Sequence, residues 1–523
     1  MTRQVVVMNS SSDHIKPHFV LVPLMAQGHM IPMIDLALLL AERGVRVTVI
    51  TTPFNASRFK TTIDQANVSG LPIRFVELPF PCAEVGLPDG CENLDVVPSV
   101  DLMLNFFEAT SLLQKPMEIY LRKHELYPNC IISDLCHPWT KKVASNLNVP
   151  RLTFFSICCF SLLCNHNISH YKAYDGTSGF PIYASSVTGE ILSYISMTGI
   201  TDENQLIVVP GLTQIIEVSK AQAPGFFSAP GWEKLDEEVR QAELVADGIV
   251  VNSFEDLEHS YIQSYQKAMN KKVWTVGPLS LYNKDVSGMA VRGNKDTSID
   301  ANRCMAWLDM MKPRSVIYVS FGSLTHVLPS QIVELGLGLE ASNHPFVWVI
   351  KNRERSDAVD EWLADGFEER VGSKGCIIKG WAPQVMILSH PAIGGFVTHC
   401  GWNSTLEGVT AGVPMVTWPH FADQFLNERM VVDVLEIGVP IGVTEPTMYV
   451  NPEVLKVVGR DDVEKAVRSL MNEGKEGEER RKRAEVLGEM AREAMREGGS
   501  SHVNLTHMIN SFCVNDKKSN KCK

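Results

Sequence analysis

The sequence predicts an α/β protein built from two facing, doubly wound, Rossmann-like domains. Two blocks of the chain alternate short apolar runs with helical patterns, one near the start and one between residues 315 and 418. The apolar runs are continuous, which is typical of parallel strands that are covered by helices on both faces. At 523 residues the chain also exceeds the size of one ordinary core, which favours two domains.

The first block begins with a strand–helix–strand unit over residues 18–52. The run "HFVLVPL" predicts a buried strand, and "IPMIDLALLLAERG" predicts a helix with Pro32 early in it and Gly44 just beyond its end. "VRVTVITT" then predicts a second strand, which is parallel to the first because a helix connects them.

The second block repeats this alternation. Five apolar runs predict strands: "SVIYVSFGS", "PFVWVI", "GCIIKGW", "AIGGFVTH" and "VPMVTWP". Two further stretches, "SQIVELGLGLEAS" and "NSTLEGVTAG", predict helices.

The domain boundary is predicted near residue 281, which gives domains of residues 1–280 and 281–523. After "VWTVGPL", the stretch "YNKDVSGMAVRGNKDTSIDANR" loses the apolar period and gains Gly, Asp and Lys. A charged stretch from Lys475 to Glu497 predicts a long helix. We expect the helix that begins at about residue 500 to pack back on the N-terminal domain.

Composition excludes several classes of partner. The formal net charge of −12 argues against nucleic acid, because a nucleic-acid footprint is basic. "MIDLALLLAERG" is interrupted by Asp35 and Glu42, so we expect no membrane insertion. The 12 cysteines show no Cys-x-x-Cys and no zinc spacing. The first residues, "MTRQVVVMNSSSDH", hold an apolar run far shorter than a signal-peptide core, so we expect a cytoplasmic location. In that compartment, buried free thiols are the expectation.

Hydrogen-bonding groups are concentrated in "THCGWNSTLEG", where an apolar run meets a helix. Ligands of open α/β sheets bind beyond the carboxyl ends of the strands, and a helix N-terminus there favours anions. His399, Asn403 and Ser404 are donors suited to phosphate oxygens, whereas Glu407 could accept from ribose hydroxyls. This mixture predicts a nucleotide diphosphate site. The alternative is a capping box formed by Ser404 and Glu407, which would leave His399 unexplained.

The first domain offers a general base. His29 follows the first predicted strand, at the mouth of a helix, and Asp134 follows the apolar strand of "CIISDLCHPW". A carboxylate bonded to imidazole fixes its tautomer and stabilises the imidazolium that forms when the ring takes a proton. The alternatives are a surface histidine and an N-cap aspartate.

The 44 residues from Trp381 to Gln424 closely resemble the signature box of the plant family-1 UDP-glycosyltransferases, which act on small secondary metabolites. The match includes "WAPQ", "HCGWNS", "LEG" and the closing "DQ". "GHMIPMIDLA", "PFPCAEVGLPDGCENLD", "VVPGL", "VNSFEDLE" and "IYVSFGS" extend the resemblance over nearly the whole chain. It looks closest to the branch whose members glycosylate triterpenoids, flavonoids and plant hormones.

The resemblance implies the GT-B architecture and a role for each residue of the box. Trp381 would stack on the uracil, and the backbone of Ala382 would read its edge. Gln384 and Glu407 would hold the ribose hydroxyls. The diphosphate would be bound by Ser323, His399, Asn403 and Ser404, and the sugar would be surrounded by Trp402, Asp423 and Gln424.

The resemblance also implies an inverting transfer from a UDP-sugar to an apolar hydroxylated acceptor, with His29 and Asp134 as the catalytic dyad. A closing Gln, here Gln424, goes with glucose donors in this family. The chain has no Asp-x-Asp pair, so we expect no metal and no other cofactor. Helix N-terminal donors near Asn403 would replace the ion. We also expect a monomer.

Three alternatives remain open at this point. The donor could be UDP-galactose or UDP-xylose, or the chain could bind a UDP-sugar or an aglycone without turnover. An oxidoreductase is disfavoured, because "GLGLEA" fits the dinucleotide fingerprint only in the middle of a predicted helix. Residues 174–205 look longer than the matching segment of relatives, and they could form a lid over the acceptor or a loop without a role.

Overall fold

The computed structural model describes ten stretches of the 523 residues. They are residues 17–123, 127–174, 180–183, 191–195, 202–225, 227, 231–282, 286–293, 299–447 and 456–513. Most of the segment 174–205 lies outside the described residues. Two short strands are described within it, and they pair in an antiparallel manner.

The first half of the chain forms a seven-stranded parallel sheet with two small hairpins beside it. The strands of the sheet are β1 (His18–Val22), β2 (Arg46–Thr51), β3 (Ile73–Glu77), β4 (Cys130–Asp134), β5 (Arg151–Phe155), β10 (Gly248–Val251) and β11 (Val273–Thr275). The hairpins are formed by β6 (Phe180–Tyr183) with β7 (Ile191–Ile195) and by β8 (Leu206–Val208) with β9 (Glu217–Ser219). The helices of this half are α1 (Gln27–Glu42), α2 (Pro53–Arg58), α3 (Lys60–Val68), α4 (Met103–Leu112), α5 (Gln114–Lys123), α6 (Thr140–Leu147), α7 (Cys159–His170), α8 (Glu233–Leu244) and α9 (Glu255–Met269).

The second half forms a six-stranded parallel sheet. Its strands are β12 (Val316–Ser320), β13 (Phe346–Ile350), β14 (Gly375–Lys379), β15 (Ile393–Thr398), β16 (Met415–Thr417) and β17 (Gly438–Pro440). The helices from the linker to the C-terminal end are α10 (Val286–Val291), α11 (Ile299–Leu308), α12 (Pro329–Ser342), α13 (Asp357–Trp362), α14 (Glu368–Val371), α15 (Gln384–Leu388), α16 (Trp402–Ala411), α17 (Gln424–Arg429), α18 (Arg460–Leu470), α19 (Lys475–Met495) and α20 (Ser500–Ser511).

Both sheets confirm the predicted doubly wound fold, and their strand orders place the loops that matter. The orders are β11-β10-β5-β4-β1-β2-β3 and β14-β13-β12-β15-β16-β17. In each sheet the direction of winding reverses beside the first strand, between β1 and β4 and between β12 and β15. Crevices at such switch points are where open α/β sheets bind ligands. The predicted site residues lie at these two points. His29 is in the first turn of α1, Asp134 is the last residue of β4, and Ser323 and His399 lie in the segments after β12 and β15.

The strands are apolar because the helices cover both faces of each sheet. Every residue of β1, β4 and β5 is buried, and so is every residue of β12 and β13. The sequence "GLGLEA" lies inside α12, where a Cβ on Gly336 would come 2.4 Å from the Trp362 ring. These glycines therefore serve helix packing, and they do not form a phosphate loop.

The last helix crosses back to the first sheet. On α20, the Ser501 hydroxyl donates to the Gly277 carbonyl, and Asn504 Nδ2 donates to the Thr275 carbonyl at 3.2 Å. Just beyond α20, the Phe512 ring packs against Phe19 of β1 at 6.2 Å between centroids. The C-terminal end of the chain thus fastens the second half of the molecule to the first.

Two further observations concern the chain as a whole. Within the described ranges, no helix is long and apolar enough to cross a membrane. The cysteines of the described part are free, and all of them except Cys513 are buried.

Candidate active site

The carboxyl edges of the two sheets face each other across a cavity of about 650 Å³. The first domain contributes the loops after β1, β4 and β5, and the second contributes the loops after β12, β13, β14, β15 and β16. All eleven residues predicted to bind the donor line this cavity, and so does His29. Asp134 lies one layer deeper, behind His29, and is fully buried.

His29 and Asp134 form a hydrogen-bonded pair. His29 Nδ1 lies 2.8 Å from Asp134 Oδ2, and the other carboxylate oxygen accepts from the Cys136 backbone N–H at 3.0 Å. An ionised carboxylate only accepts, so Nδ1 carries the proton and Nε2 keeps its lone pair. The imidazole is therefore held in the tautomer that can take a proton from a hydroxyl in the cavity.

The pair also stabilises the charged form of the imidazole. Burial alone lowers the pKa of His29, but the charge and hydrogen bond of Asp134 outweigh it, so this pKa lies above its ordinary value of 6.5. For Asp134 the effects have the opposite sign. Burial raises the pKa of its carboxyl, but the charge and hydrogen bond of His29 outweigh burial, so this pKa lies below its ordinary value of 3.8. The carboxylate thus remains ionised and stabilises the imidazolium that forms during proton transfer.

Helix α16 presents an open N-terminus to the cavity. The helix begins at Trp402 after the N-cap Gly401, which has no side chain to satisfy the first N–H groups. Ser404 is thus in the first turn and is not the cap, so the capping-box alternative is wrong. Its hydroxyl instead accepts from Gln384 Nε2 at 2.9 Å. The free N–H groups and the helix dipole make this end of α16 suitable for an anion.

Gln384 and Glu407, the predicted ribose ligands, contact each other directly. Gln384 Nε2 donates to Glu407 Oε2 at 2.8 Å, and Tyr318 Oη donates to Gln384 Oε1 at 3.4 Å. Trp381 and Ala382 follow β14 and line the same cavity. An indole ring, a carboxylate and an amide on one cavity wall suit a base and a ribose diol.

Asn403 and Trp402, whose side chains were predicted to lie around the diphosphate and the sugar, also make contacts between the two domains. The Asn403 amide donates to the Gly28 carbonyl and accepts from Asn252 Nδ2 at 3.1 Å. The Trp402 indole N–H donates to the Asn252 carbonyl at 2.7 Å. Both side chains therefore join the two domains, and both residues also line the cavity.

His399 is a neutral imidazole in a tight cradle. A Cβ on Gly322 would lie 2.4 Å from His399 Cε1, and a Cβ on Gly401 would lie 2.4 Å from its Nε2. Burial, helped by the charge of Lys351, lowers the pKa of His399 to about 3. The ring can therefore offer a phosphate an N–H group but not a positive charge. Ser323, directly after Gly322, lies beside it on the cavity wall.

Asp423 and Gln424 follow β16 and line the cavity. Burial raises the pKa of Asp423 to about 6, although the Asn427 hydrogen bond and the charge of His29 oppose this increase. Gln424 Oε1 accepts from the backbone N–H groups of His420 and Phe421 at 2.8 and 3.2 Å. The remaining amide group, Nε2, is the donor that Gln424 can offer a sugar hydroxyl.

Several residues of the site were not predicted. Asn427 Nδ2 donates to Asp423 at 2.7 Å, and its Oδ1 accepts from the Ser161 hydroxyl of the first domain at 2.9 Å. Lys351 lies on the cavity wall at the end of β13, where burial lowers its pKa to about 8. Asn252 and Arg292 also went unnoticed, since their contacts join parts of the chain that are far apart in sequence: Asn252 contacts Asn403 and Trp402, and Arg292 contacts Asp35 and Glu407. A polar residue directly after an apolar strand was a usable signal for Lys351 and Asn252.

One group of side chains within the described residues brings enough ligand atoms together to share a metal ion. It consists of His29, Asp134 and Cys136, whose ligand atoms lie within 4.8 Å of one another. Burial and the nearby Asp134 hold the pKa of the Cys136 thiol well above its usual value, so the thiolate form that metals prefer is disfavoured. These three side chains are therefore better suited to proton transfer than to binding a metal ion.

Family models match both halves of the chain. A model described as "UDP-glucoronosyl and UDP-glucosyl transferase" matches residues 249–474, and one described as "Glycosyltransferase, N-terminal domain" matches residues 18–212. The chain is 44% identical to "UDP-glycosyltransferase 1" of Barbarea vulgaris, with 94% of this chain and 95% of the relative covered. It is 46% identical to "UDP-glycosyltransferase 73E1" of Stevia rebaudiana, with the same coverage of 94% and 95%.

Solved structures resemble the whole molecule. UGT73P12 of Glycyrrhiza uralensis, complexed with glycyrrhetinic acid 3-O-monoglucuronide, has a TM-score of 0.84 and 35% identity, and the match covers 95% of this chain and 96% of that one. UGT89C1 of Arabidopsis thaliana, complexed with UDP-L-rhamnose, has a TM-score of 0.70 and 29% identity, with 95% and 100% covered. The GT-B arrangement of two Rossmann-like domains is therefore shared along the full length.

Proposed function

The chain belongs to the plant family-1 UDP-glycosyltransferases, enzymes that move a sugar from a UDP-sugar to a small molecule, and we propose that it is an inverting O-glucosyltransferase. In this proposal the donor is UDP-glucose and the acceptor is an apolar molecule with a hydroxyl group, such as a triterpenoid, a flavonoid or a hormone. The observation that carries the proposal is the hydrogen-bonded His29–Asp134 pair, whose imidazole opens into the cavity that Trp381, Gln384 and Glu407 also line.

The donor is proposed to lie along the second domain. Trp381 stacks on the uracil beside the Ala382 backbone, and Gln384 and Glu407 hold the ribose. The anion site at the N-terminus of α16 suits the diphosphate, with N–H and hydroxyl donors from Ser323, His399 and Ser404 around it. The sugar then reaches the dyad between Asp423 and Gln424.

Transfer is proposed to need no metal ion. In a single displacement, His29 Nε2 takes the proton of the acceptor hydroxyl while the oxygen attacks the anomeric carbon from the side opposite UDP, which inverts the configuration. The departing diphosphate gains negative charge beside the α16 N-terminus and the neutral His399 N–H. These groups are fixed before the reaction, so they stabilise the leaving group at little reorganisation cost.

Aromatic and apolar side chains of the first domain support the acceptor class. Phe107 and Trp232 pack edge to face at 5.5 Å between centroids, and Phe227 stacks on Trp232 at 6.0 Å; all three line the cavity. Leu24 and Met103 extend this apolar wall. Such a wall favours a large, weakly polar acceptor. UGT73P12, which shares 35% identity, was solved with glycyrrhetinic acid 3-O-monoglucuronide.

The assignment is tested with purified protein, UDP-glucose, excess EDTA and a panel of triterpenoid, flavonoid, phenolic and hormone acceptors. We expect UDP release coupled to a product whose mass has grown by one hexose. Product with UDP-galactose or UDP-xylose but none with UDP-glucose would overturn the donor assignment. Binding of UDP without product from any donor would favour the non-catalytic alternative.

The free, buried cysteines support a cytoplasmic location.

Glu407→Gln is expected to weaken binding of the UDP-sugar donor and to affect turnover little. Gln keeps the size of the side chain but removes the negative charge to which ribose hydroxyls donate. Hydrogen bonds to charged groups contribute about 1.5–3 kcal/mol, so we expect the KM for UDP-glucose to rise about tenfold or more with kcat nearly unchanged. Initial rates at varied UDP-glucose and saturating acceptor measure both constants. A fall in kcat at unchanged donor KM would contradict the ribose role.

A further inference from the structure

Arg292, in the linker just after α10, reaches across the cleft and pairs with a carboxylate of each domain. Its Nε donates to Asp35 Oδ2 on α1 at 2.8 Å, and its Nη1 donates to Glu407 Oε1 on α16. The three side chains are almost completely buried, with 8% of Arg292, 4% of Asp35 and 8% of Glu407 exposed. A linker residue is thus part of the proposed ribose site.

The linker around Arg292 lines the cavity and packs against α1. Met289 and Arg292 line the cavity together with Trp381 and Gln384. Gly293 has a φ of +88°, and a Cβ there would lie 2.6 Å from Ile31 Cδ1 of α1. The backbone after Arg292 therefore lies directly on α1, in a conformation that favours glycine.

The contacts of Glu407 define what Arg292 can do. Glu407 Oε1 accepts from Arg292 and Oε2 accepts from Gln384 at 2.8 Å, so both oxygens are oriented before a ligand arrives. Each carboxylate oxygen can accept two hydrogen bonds, which leaves one position on each for a vicinal diol. The guanidinium also offsets the negative charge of Glu407, which would otherwise repel a diphosphate one helical turn away.

The electrostatic balance keeps Arg292 charged. Burial lowers the pKa of the Arg292 guanidinium, but Asp35 and Glu407 outweigh this effect and raise it above its ordinary range. A lysine could not replace it equally, because one ammonium lacks the planar fork that donates to two carboxylates in different directions.

We propose that Arg292 is a positioning residue for donor recognition, which orients and neutralises Glu407 so that its carboxylate accepts the ribose hydroxyls of the UDP-sugar. The inference rests on the proposed function, because it takes the nucleotide to be a uridine diphosphate. It differs from a purely mechanical role, in which Arg292 only holds the two domains together.

Calorimetric titration of UDP and 2′-deoxy-UDP into wild type and Arg292→Met tests this inference. We expect wild type to bind UDP more tightly than 2′-deoxy-UDP, by about tenfold or more, because without the 2′-hydroxyl the Glu407 carboxylate loses a hydrogen-bond donor. In Arg292→Met the affinity for UDP should fall about tenfold and the preference should shrink to about twofold or less. Arg292→Lys should lie between the two.

The matched control is Arg468→Met on α18, which removes an exposed arginine that pairs with Glu464 at 2.9 Å. It should leave both affinities at their wild-type values. In a Glu407→Gln background, Arg292→Met should reduce the preference for UDP no further, since the two residues act as a unit. Thermal unfolding of each variant reports whether it is folded at the temperature of the titration.

The contradicting outcomes are distinct. Equal weakening of UDP and 2′-deoxy-UDP in Arg292→Met would show a mechanical strut and overturn the inference, as would an unchanged UDP affinity. If the wild-type protein bound UDP and 2′-deoxy-UDP equally well, Glu407 would not contact the ribose 2′-hydroxyl, and the inference would be overturned. A wild-type protein that does not bind UDP would overturn the proposed function itself.

Discussion

Replacement of His29 by alanine is expected to lower kcat by about 10²–10⁴-fold, the usual contribution of a general base. In the proposed mechanism the imidazole takes the acceptor proton, and the structure pairs it with the buried carboxylate of Asp134 at 2.8 Å. Because the proposed UDP site lies on the opposite domain, the Kd for UDP should stay within about twofold of wild type. Steady-state rates and titration with UDP measure the two quantities.

The matched control for this variant is His166→Ala. His166 lies on α7 and stacks on His170 at 5.6 Å between ring centroids, and it does not line the cavity. Its loss should leave kcat at the wild-type value. A His29→Ala enzyme with wild-type turnover would show that another group takes the proton. A His29→Ala enzyme that lost UDP binding as well would place His29 on the donor side.

Asp134→Asn is expected to lower kcat by a similarly large factor, about 10²–10⁴-fold, although the shape of the side chain is kept. The Asn carbonyl can still accept from the Cys136 N–H, as Asp134 does at 3.0 Å. Its amide group would then donate to His29 Nδ1. That contact forces the proton of the imidazole onto Nε2, which is the atom that must be free to act as a base.

The pH dependence separates this role from simple loss of structure. The neutral imidazole is the active form, so kcat/KM should rise with pH through the pKa of His29, which the Asp134 charge holds above 6.5. Without that charge, burial dominates and lowers the pKa of His29. The acid limb of the residual Asp134→Asn activity should therefore lie at lower pH than that of wild type. An acid limb in the same place, or at higher pH, would contradict the dyad.

Much of the site followed from the sequence because parallel strands end at the same edge of a sheet. Apolar strands before His29, Asp134, Ser323 and His399 were recognisable, and strand order then brings their loops together at the switch points. The resemblance of the residues from Trp381 to Gln424 to a known signature supplied the individual donor roles. Local pattern and strand topology therefore predict where the chemistry is.

The contacts between the domains could not be predicted in the same way. Asn403 and Trp402 read as ligand-binding residues, yet their side chains bond to Asn252 and, for Asn403, to Gly28. Such contacts depend on how two separately folded sheets are placed, and no sequence period encodes that placement. Arg292 illustrates the same limit, because the loss of apolar period around it suggested a linker but gave no sign of its buried carboxylate partners.

The most direct measurement of the central claim is the anomeric configuration of the product formed from UDP-glucose in the presence of EDTA, read from the proton NMR coupling of the transferred sugar. UDP-glucose has an α-linked sugar, so a single displacement with His29 as base predicts a β-glucoside formed without metal. An α-glucoside, or a product that appears only when a divalent cation is restored, would contradict it.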